Sequence, residues 1–306
     1  MQSIPTTLFT GFLGSGKTTI ITHLIDELQA RGEQTIYIKN EVGETDIDAQ
    51  VLKEQGVQTT ELLNGCICCT LVGPFTATID ELAYRYTPSR IIIEASGAAD
   101  PAALALMISS HPLLTRDGVI SVIDVVNFEG YQDLSITAQE QTKFTDVLVF
   151  NKVEMVDDER KRQVVSYVRE LNEHSPIIEA VGGKAPLAVI VGASRQELET
   201  LLRTAESAVH NHLETDHFSA STITLEGLFD QEKLLEVLES VPPELFRAKG
   251  IVRTQAGRVL CNAVAGRVTL ELLDNSQDVG NTLVFIGHNA KMFAGQLSNK
   301  LQSALV

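Results

Sequence analysis

Residues 6–19 read Thr-Thr-Leu-Phe-Thr-Gly-Phe-Leu-Gly-Ser-Gly-Lys-Thr-Thr. A short apolar run, Leu8-Phe9, leads into Gly11-x-x-x-x-Gly16-Lys17-Thr18, and behind it Ile20, Ile21, Leu24, Ile25 and Leu28 recur on one helical face. Strand, glycine loop and helix in that order are the setting a phosphate-binding loop requires. The bland alternative is a glycine turn between two packed elements. The glycines let the backbone wrap a phosphate chain with successive N–H groups turned inward. The start of the following helix adds the positive end of its dipole to the same anion. In such a loop Lys17 reaches the β- and γ-phosphates and the Thr18 hydroxyl serves Mg²⁺.

Outward from this loop the chain alternates between strands and helices. Apolar β-prone segments are expected at 35–38, 57–62, 90–94, 119–125, 147–150 and 176–181, with helices near 74–86, after Pro101 and near 195–207. The run Arg90-Ile91-Ile92-Ile93-Glu94 has no alternation, as in a strand covered on both faces. This order implies right-handed crossovers and a mostly parallel sheet, an α/β fold of the P-loop type over residues 1–208. A polar, histidine-containing linker is expected at 209–220. A smaller α+β domain follows at 221–306, with a helix near 230–238 and strands near 250–254, 259–265, 267–272 and 282–287.

In an open parallel sheet, ligands gather beyond the carboxyl ends of the strands. Glu94 stands at such an end, placed like the acid that contacts Mg²⁺ directly or through water, and with Lys17 is the candidate catalytic pair. Ser96-Gly97 follows, where a backbone N–H of Gly97 would sense the γ-phosphate; a helix cap ahead of Pro101 is the alternative. Asn151-Lys152-Val153-Glu154 resembles the Asn-Lys-x-Asp with which GTPases read guanine. Glu154 offers the same two acceptors as aspartate on a side chain one methylene longer.

Cys66-Ile67-Cys68-Cys69 is the second strong signal. Thiolates bind Zn²⁺, Cu⁺ or Co²⁺ far better than Mg²⁺. No second Cys-x-x-Cys or His-x-x-x-His completes a structural site, so an exchange-competent site is favoured; a redox switch stays open. Glu41 and Glu44, with Asp46 and Asp48, belong to an acidic segment that would join the Mg²⁺ or the thiolates, or form a solvated loop. His111 follows a helix and is expected on the same side of the sheet, where it would add an imidazole. His210, His212 and His217 suit loose surface metal binding or a plain hydrophilic linker, and His23, His174 and His288 carry no pattern. Cys261 reads as a buried core residue.

Composition narrows the partners. A formal net charge of −16 over 306 residues argues against nucleic acid or an anionic membrane. No apolar run approaches a membrane span and no basic leader precedes an apolar stretch, so the cytoplasm is the expected compartment. Three cysteines within four positions are not a disulfide framework.

Read together, these stretches resemble the CobW-type family of P-loop GTPases, and within it a bacterial zinc-binding branch. The marks are the glycine loop at 11–19, Asn-Glu-x-Gly-Glu at 40–44, Asn-Gly-Cys-Ile-Cys-Cys at 64–69, Glu-x-Ser-Gly-x-Ala-x-Pro at 94–101 and the Asn-Lys motif at 151–154. Looser likeness continues at 247–250 and 284–287. The resemblance implies a metallochaperone GTPase that delivers zinc, or another transition metal such as Co²⁺, to a metal-requiring client protein under control of GTP and Mg²⁺. It places phosphates on Gly14, Ser15, Gly16, Lys17, Thr18 and Thr19, and metal on Cys66, Cys68 and Cys69. Hydrolysis is expected to be slow, since no arginine finger is evident and a partner would supply one; a homo-oligomer stays open. Two other classes remain open at this point: a passive metal-binding sensor with a structural nucleotide, and a small-molecule kinase, although no arginine-rich lid is visible.

Overall fold

The computed structural model describes residues 3–40, 58–61, 72–96, 100–128, 144–192, 198, 218–273 and 280–306. The chain divides into two compact units, Met1–Ala185 and Pro186–Val306.

The first unit comprises β1 (Ile4–Gly11), α1 (Lys17–Ala30), β2 (Thr35–Asn40), β3 (Gln58–Glu61), α2 (Val72–Tyr86), β4 (Arg90–Ala95), α3 (Pro101–Ser110), β5 (Leu114–Asp124), β6 (Val147–Asn151), α4 (Asp158–Leu171) and β7 (Ile177–Ala180). Its strands stand in the order β3-β2-β4-β1-β5-β6-β7, and every neighbouring pair runs parallel. Strand order reverses at β1, which puts the phosphate loop at the switch point where open α/β sheets bind ligands. Leu8, Ile91, Ile92, Ile93, Val119, Ile120, Leu148 and Val149 are all buried, since helices cover both faces and leave no strand side for water. Helix α1 lays Ile20, Ile21, Leu24, Ile25 and Leu28 into that core. Each such side chain contributes about 1.5–3 kcal/mol of transfer free energy. Helix α3 starts where it does because Pro101 occupies its first turn and the Asp100 carboxylate accepts from the Ala102 N–H at 2.9 Å.

One irregularity fixes the amino-terminal side of the sheet. The β1–β5 register slips between Thr6 and Thr7, so that Thr6 pairs with Arg116 and Thr7 with Gly118. Asp117 is the extra residue of this bulge, and its carboxylate meets Arg90 Nη1 at 2.5 Å. Both side chains are almost wholly buried, which makes the pair costly to break from one side only.

The second unit contains α5 (Leu187–Val191), β8 (Ser219–Leu225), α6 (Gln231–Glu239), β9 (Leu245–Thr254), β10 (Gly257–Val264), β11 (Arg267–Leu272), β12 (Asn281–Gly287) and α7 (Ala294–Ser303). Its five strands form an antiparallel sheet in the order β11-β10-β9-β12-β8. Leu234 and Leu238 of α6 and Leu297 and Leu301 of α7 pack with Val252, Val259, Cys261 and Phe285 into one core. Cys261 is 1% exposed, and burial pushes its thiol up to about 12. The expected linker ran to residue 220, whereas a strand, β8, already begins at Ser219. The expected first domain ran to 208, whereas the contacts divide the chain at Ala185/Pro186. Helix α5 belongs to the second unit because the buried Arg247 donates from Nη1 to the Ile190 carbonyl at 2.6 Å and from Nη2 to Asn262 Oδ1 at 3.2 Å.

Candidate functional site

The loop between β1 and α1 closes on its own lysine. Lys17 Nζ donates to the carbonyls of Gly11 and Phe12, both at 2.9 Å, and is 6% exposed. Ahead of it Gly16 takes a left-handed conformation (φ 92°, ψ 21°), and no side chain caps the first turn of α1. A Cβ at Gly16 would collide with the amide nitrogen of Asn151, so both the backbone angle and the space require glycine here. The uncapped N–H groups of α1 and the Lys17 ammonium supply the positive half of an anion site.

Three further segments converge on this loop. From β6, Asn151 Nδ2 donates to the Ser15 carbonyl at 2.8 Å. Lys152, in a left-handed conformation (φ 63°), donates from Nζ to the Gly14 carbonyl at 3.0 Å and to Asp124 Oδ2 at 2.6 Å. Burial works to raise the Asp124 carboxyl, but hydrogen bonds from Lys152, Asn127 and Val126 outweigh it and hold the group below its ordinary value. From β4, Glu94 accepts from the Thr18 hydroxyl, at 3.0 Å to one oxygen and 3.1 Å to the other. The Tyr37 hydroxyl of β2 donates to Glu94 Oε2 at 2.5 Å. Burial raises the Glu94 carboxyl above its usual range, against the opposing pull of Tyr37 and the Lys17 charge. Glu154 Oε1 accepts from the Gly182 N–H at 3.1 Å, in the turn that follows β7.

The arrangement fits a nucleoside triphosphate with a hard cation. Ser15 Oγ and Asn151 Oδ1 are buried with no hydrogen-bond partner among the described residues, which leaves both available to a bound ligand or water. A Cβ at Gly14 would meet no atom of the described residues within 4 Å, so among these residues the crown of the loop is open. The Thr18 hydroxyl and the Glu94 carboxylate are the oxygen ligands that Mg²⁺ prefers.

Of the residues expected from sequence, the fold gathers Gly11, Gly14, Ser15, Gly16, Lys17, Thr18, Thr19, Glu94, Asn151, Lys152 and Glu154 at the carboxyl edge of the sheet. His111 does not join them. It follows α3 and precedes β5, whose first residue Leu114 pairs with Ile4, the amino end of β1. The ring is therefore at the opposite edge from Gly11, because a crossover helix returns the chain to the amino side before the next strand. There His111 Nδ1 accepts from the Leu113 N–H at 3.2 Å and Nε2 faces Asp80 at 3.6 Å. Glu41, Glu44, Cys66, Cys68, Cys69, Gly97, His210, His212 and His217 lie outside the described residues. Among the described residues no group of three His, Cys, Asp or Glu side chains gathers to hold a metal, and no helix is long and apolar enough to cross a membrane. Sequence reasoning missed Tyr37 and Asp124. The end-of-strand rule alone would have flagged Asp124, the last residue of β5; Tyr37, inside an apolar strand, gives no such signal.

The model of the CobW/HypB/UreG nucleotide-binding domain matches residues 5–179, more than half of the chain. The chain belongs to this family. The model of the cobalamin synthesis protein cobW C-terminal domain matches residues 218–305, the second sheet and its helices. Among CobW-type relatives, the zinc chaperone YjiA of Escherichia coli is 27% identical over 266 residues, 82% of each chain. The zinc chaperone CobW of a Sinorhizobium species is 29% identical over 311 aligned positions, 87% of this chain and 86% of its own. The zinc-regulated GTPase metalloprotein activator 1 of Dictyostelium discoideum is 24% identical over 231 residues, 62% of this chain and 48% of its own.

Proposed function

We propose that this chain is a metal-handling GTPase that hydrolyses GTP to GDP and phosphate and couples the nucleotide to holding a transition metal, zinc, for delivery to a client protein. The observation that carries the nucleotide half is the lacing of the Asn151-Lys152 segment onto the phosphate loop through the Ser15 and Gly14 carbonyls. That lacing would hold the phosphate and base ends of one ligand in fixed relation, with Glu154 as the acceptor for guanine N–H groups. Lys17 supplies fixed positive charge where charge develops on the leaving phosphates. Thr18 and Glu94 would hold Mg²⁺, which would supply positive charge against the phosphate oxygens. The lowered Asp124 carboxyl stays ionised and keeps the Lys152 ammonium in place.

The metal half rests on Cys66-Ile67-Cys68-Cys69 with Glu41 and Glu44, and on relatives named as zinc chaperones. In sequence, Asn40 is followed at once by Glu41, and Cys66 comes five residues after Glu61, the last residue of β3. A nucleotide that favours one state of these segments over another would shift metal affinity, and only by the difference in its own affinity for the two states.

The test is a Zn²⁺ competition titration against a chromophoric chelator, run without nucleotide, with Mg²⁺–GDP and with a non-hydrolysable Mg²⁺–GTP analogue. Much tighter zinc binding with the GTP analogue is expected. Equal affinity in all three conditions would defeat the coupling. The double substitution Cys66→Ala, Cys69→Ala is expected to remove tight zinc binding while leaving nucleotide binding intact.

A further inference from the structure

Strand β7 ends at Ala180, which pairs with Asn151, so the turn after it leaves the sheet beside the Asn151–Glu154 segment. That turn is closed by Val181 N–H to Lys184 O at 3.2 Å and Lys184 N–H to Val181 O at 3.0 Å, with Gly182 and Gly183 at φ 58° and 75°. It is a two-glycine turn of the mirror-image type, which no pair of ordinary residues adopts cheaply. Two bonds tie its tip. The Gly182 N–H donates to Glu154 Oε1 at 3.1 Å, and the Gly183 carbonyl accepts from His23 Nδ1 at 2.9 Å. Since a carbonyl can only accept, Nδ1 carries the proton.

His23 lies on α1, one turn beyond Thr19, and both press on the same glycine. A Cβ at Gly183 would come within 2.7 Å of Thr19 Cγ2 and 3.5 Å of the His23 ring. The helix that opens on the phosphate loop therefore also braces the turn that holds the base-side acid. This tie is additional to those from Asn151 and Lys152, and it matters because of the glutamate. The extra methylene of Glu154 relative to aspartate gives its carboxylate one more rotatable bond, and the Gly182 N–H removes that freedom only if the turn itself is fixed. Glycines at both central positions make the turn easy to displace once its latch is gone.

We propose that His23 is a positioning residue for base recognition: it latches the Gly182–Gly183 turn, which in turn sets the Glu154 carboxylate. The inference rests on the GTPase reading above. The test is competition of GTP, ITP and ATP against a fluorescent GDP analogue, with wild type, His23→Ala, His23→Phe and His23→Asn, alongside thermal melts. Loss of one partly buried hydrogen bond predicts that the Ala and Phe variants lose roughly fivefold in preference for GTP over ATP. ATP affinity should stay unchanged, and the smaller gap between GTP and ITP should narrow with it. His23→Asn should restore the preference, because its amide nitrogen sits as many bonds from Cα as the imidazole Nδ1. An unchanged GTP-to-ATP ratio in both the Ala and Phe variants overturns the inference, as does an equal fall for every nucleotide, which would mark a bond that merely supports the fold. A wild type with no preference for GTP over ATP would instead overturn the GTPase reading itself.

Discussion

Gly16 and Asn151 occupy one another's space, and a double-mutant cycle between them measures how tightly the base segment is seated on the phosphate loop. Gly16→Ala places a methyl group at φ 92°, where an L-residue costs about 1–2 kcal/mol. It also drives that methyl into Asn151 Nδ2, an overpacking worth about 1–3 kcal/mol. Asn151→Ala removes the 2.8 Å bond to the Ser15 carbonyl and leaves that carbonyl without its partner. The expected cost is about 2 kcal/mol, softened because the buried, unpaired Asn151 Oδ1 is removed as well. In the double variant the clash has no second party, so only the backbone strain and the lost bond remain. Urea unfolding without nucleotide should therefore show the pair less destabilised than the sum of the singles by about 1–3 kcal/mol. Additivity within about 0.5 kcal/mol would refute the reasoning, since it would mean that the two residues do not share that space.

Glu94→Gln should raise the melting temperature of the nucleotide-free protein near about pH 7, because burial raises the Glu94 carboxyl and folding favours its neutral form. The stabilisation from the protonated acid is present at low pH and lost as pH rises through the folded value, so the variant's advantage should vanish on acidification; a pH-independent difference in melts would contradict this. Arg90→Met should cost about 3–5 kcal/mol in urea unfolding by taking the guanidinium away from the buried Asp117 carboxylate, and adding Asp117→Leu should recover part of the loss. Lys17→Ala should weaken binding of a fluorescent GDP analogue by about 10–100-fold while circular dichroism stays that of wild type. Cys261, with its thiol pushed up to about 12, should resist iodoacetamide in the folded protein and react on unfolding, as residue-resolved mass spectrometry would show.

Strands β4 and β6 are legible in the sequence because both of their faces are covered, which leaves a solid apolar run. β8 is not: Ser-Ala-Ser-Thr-Ile-Thr-Leu carries few large apolar residues and continues from a polar segment, so its place in the sheet comes from pairing with β12 rather than from local pattern. The five residues of α5 are too short to show a helical period, and their assignment to the second unit depends on the distant Arg247. In the site, the phosphate loop announces itself through spacing, and Glu94 and Asn151 through their positions at strand ends. His111 misleads because a helix end and a strand end look alike in sequence, yet crossover topology sends them to opposite edges of the sheet. Tyr37 and His23 act across the sheet and across the chain, the latter on a residue 160 positions away, and no local pattern encodes such a partner.

The central place of β1 has a consequence for how the molecule is made. Its neighbours are β4 and β5, so β1, once synthesised, has no partner until residues 90–95 and then 114–124 have been added. At ordinary rates of translation, about 5–20 residues per second, an apolar strand ending at Gly11 waits about 5–20 s for its second flank. Every ladder in this sheet closes a long loop, which slows folding and keeps the wait from being bridged by a local hairpin. The phosphate loop therefore takes shape only once β5 has been made, and nucleotide would find its site only on a chain that has already reached that strand.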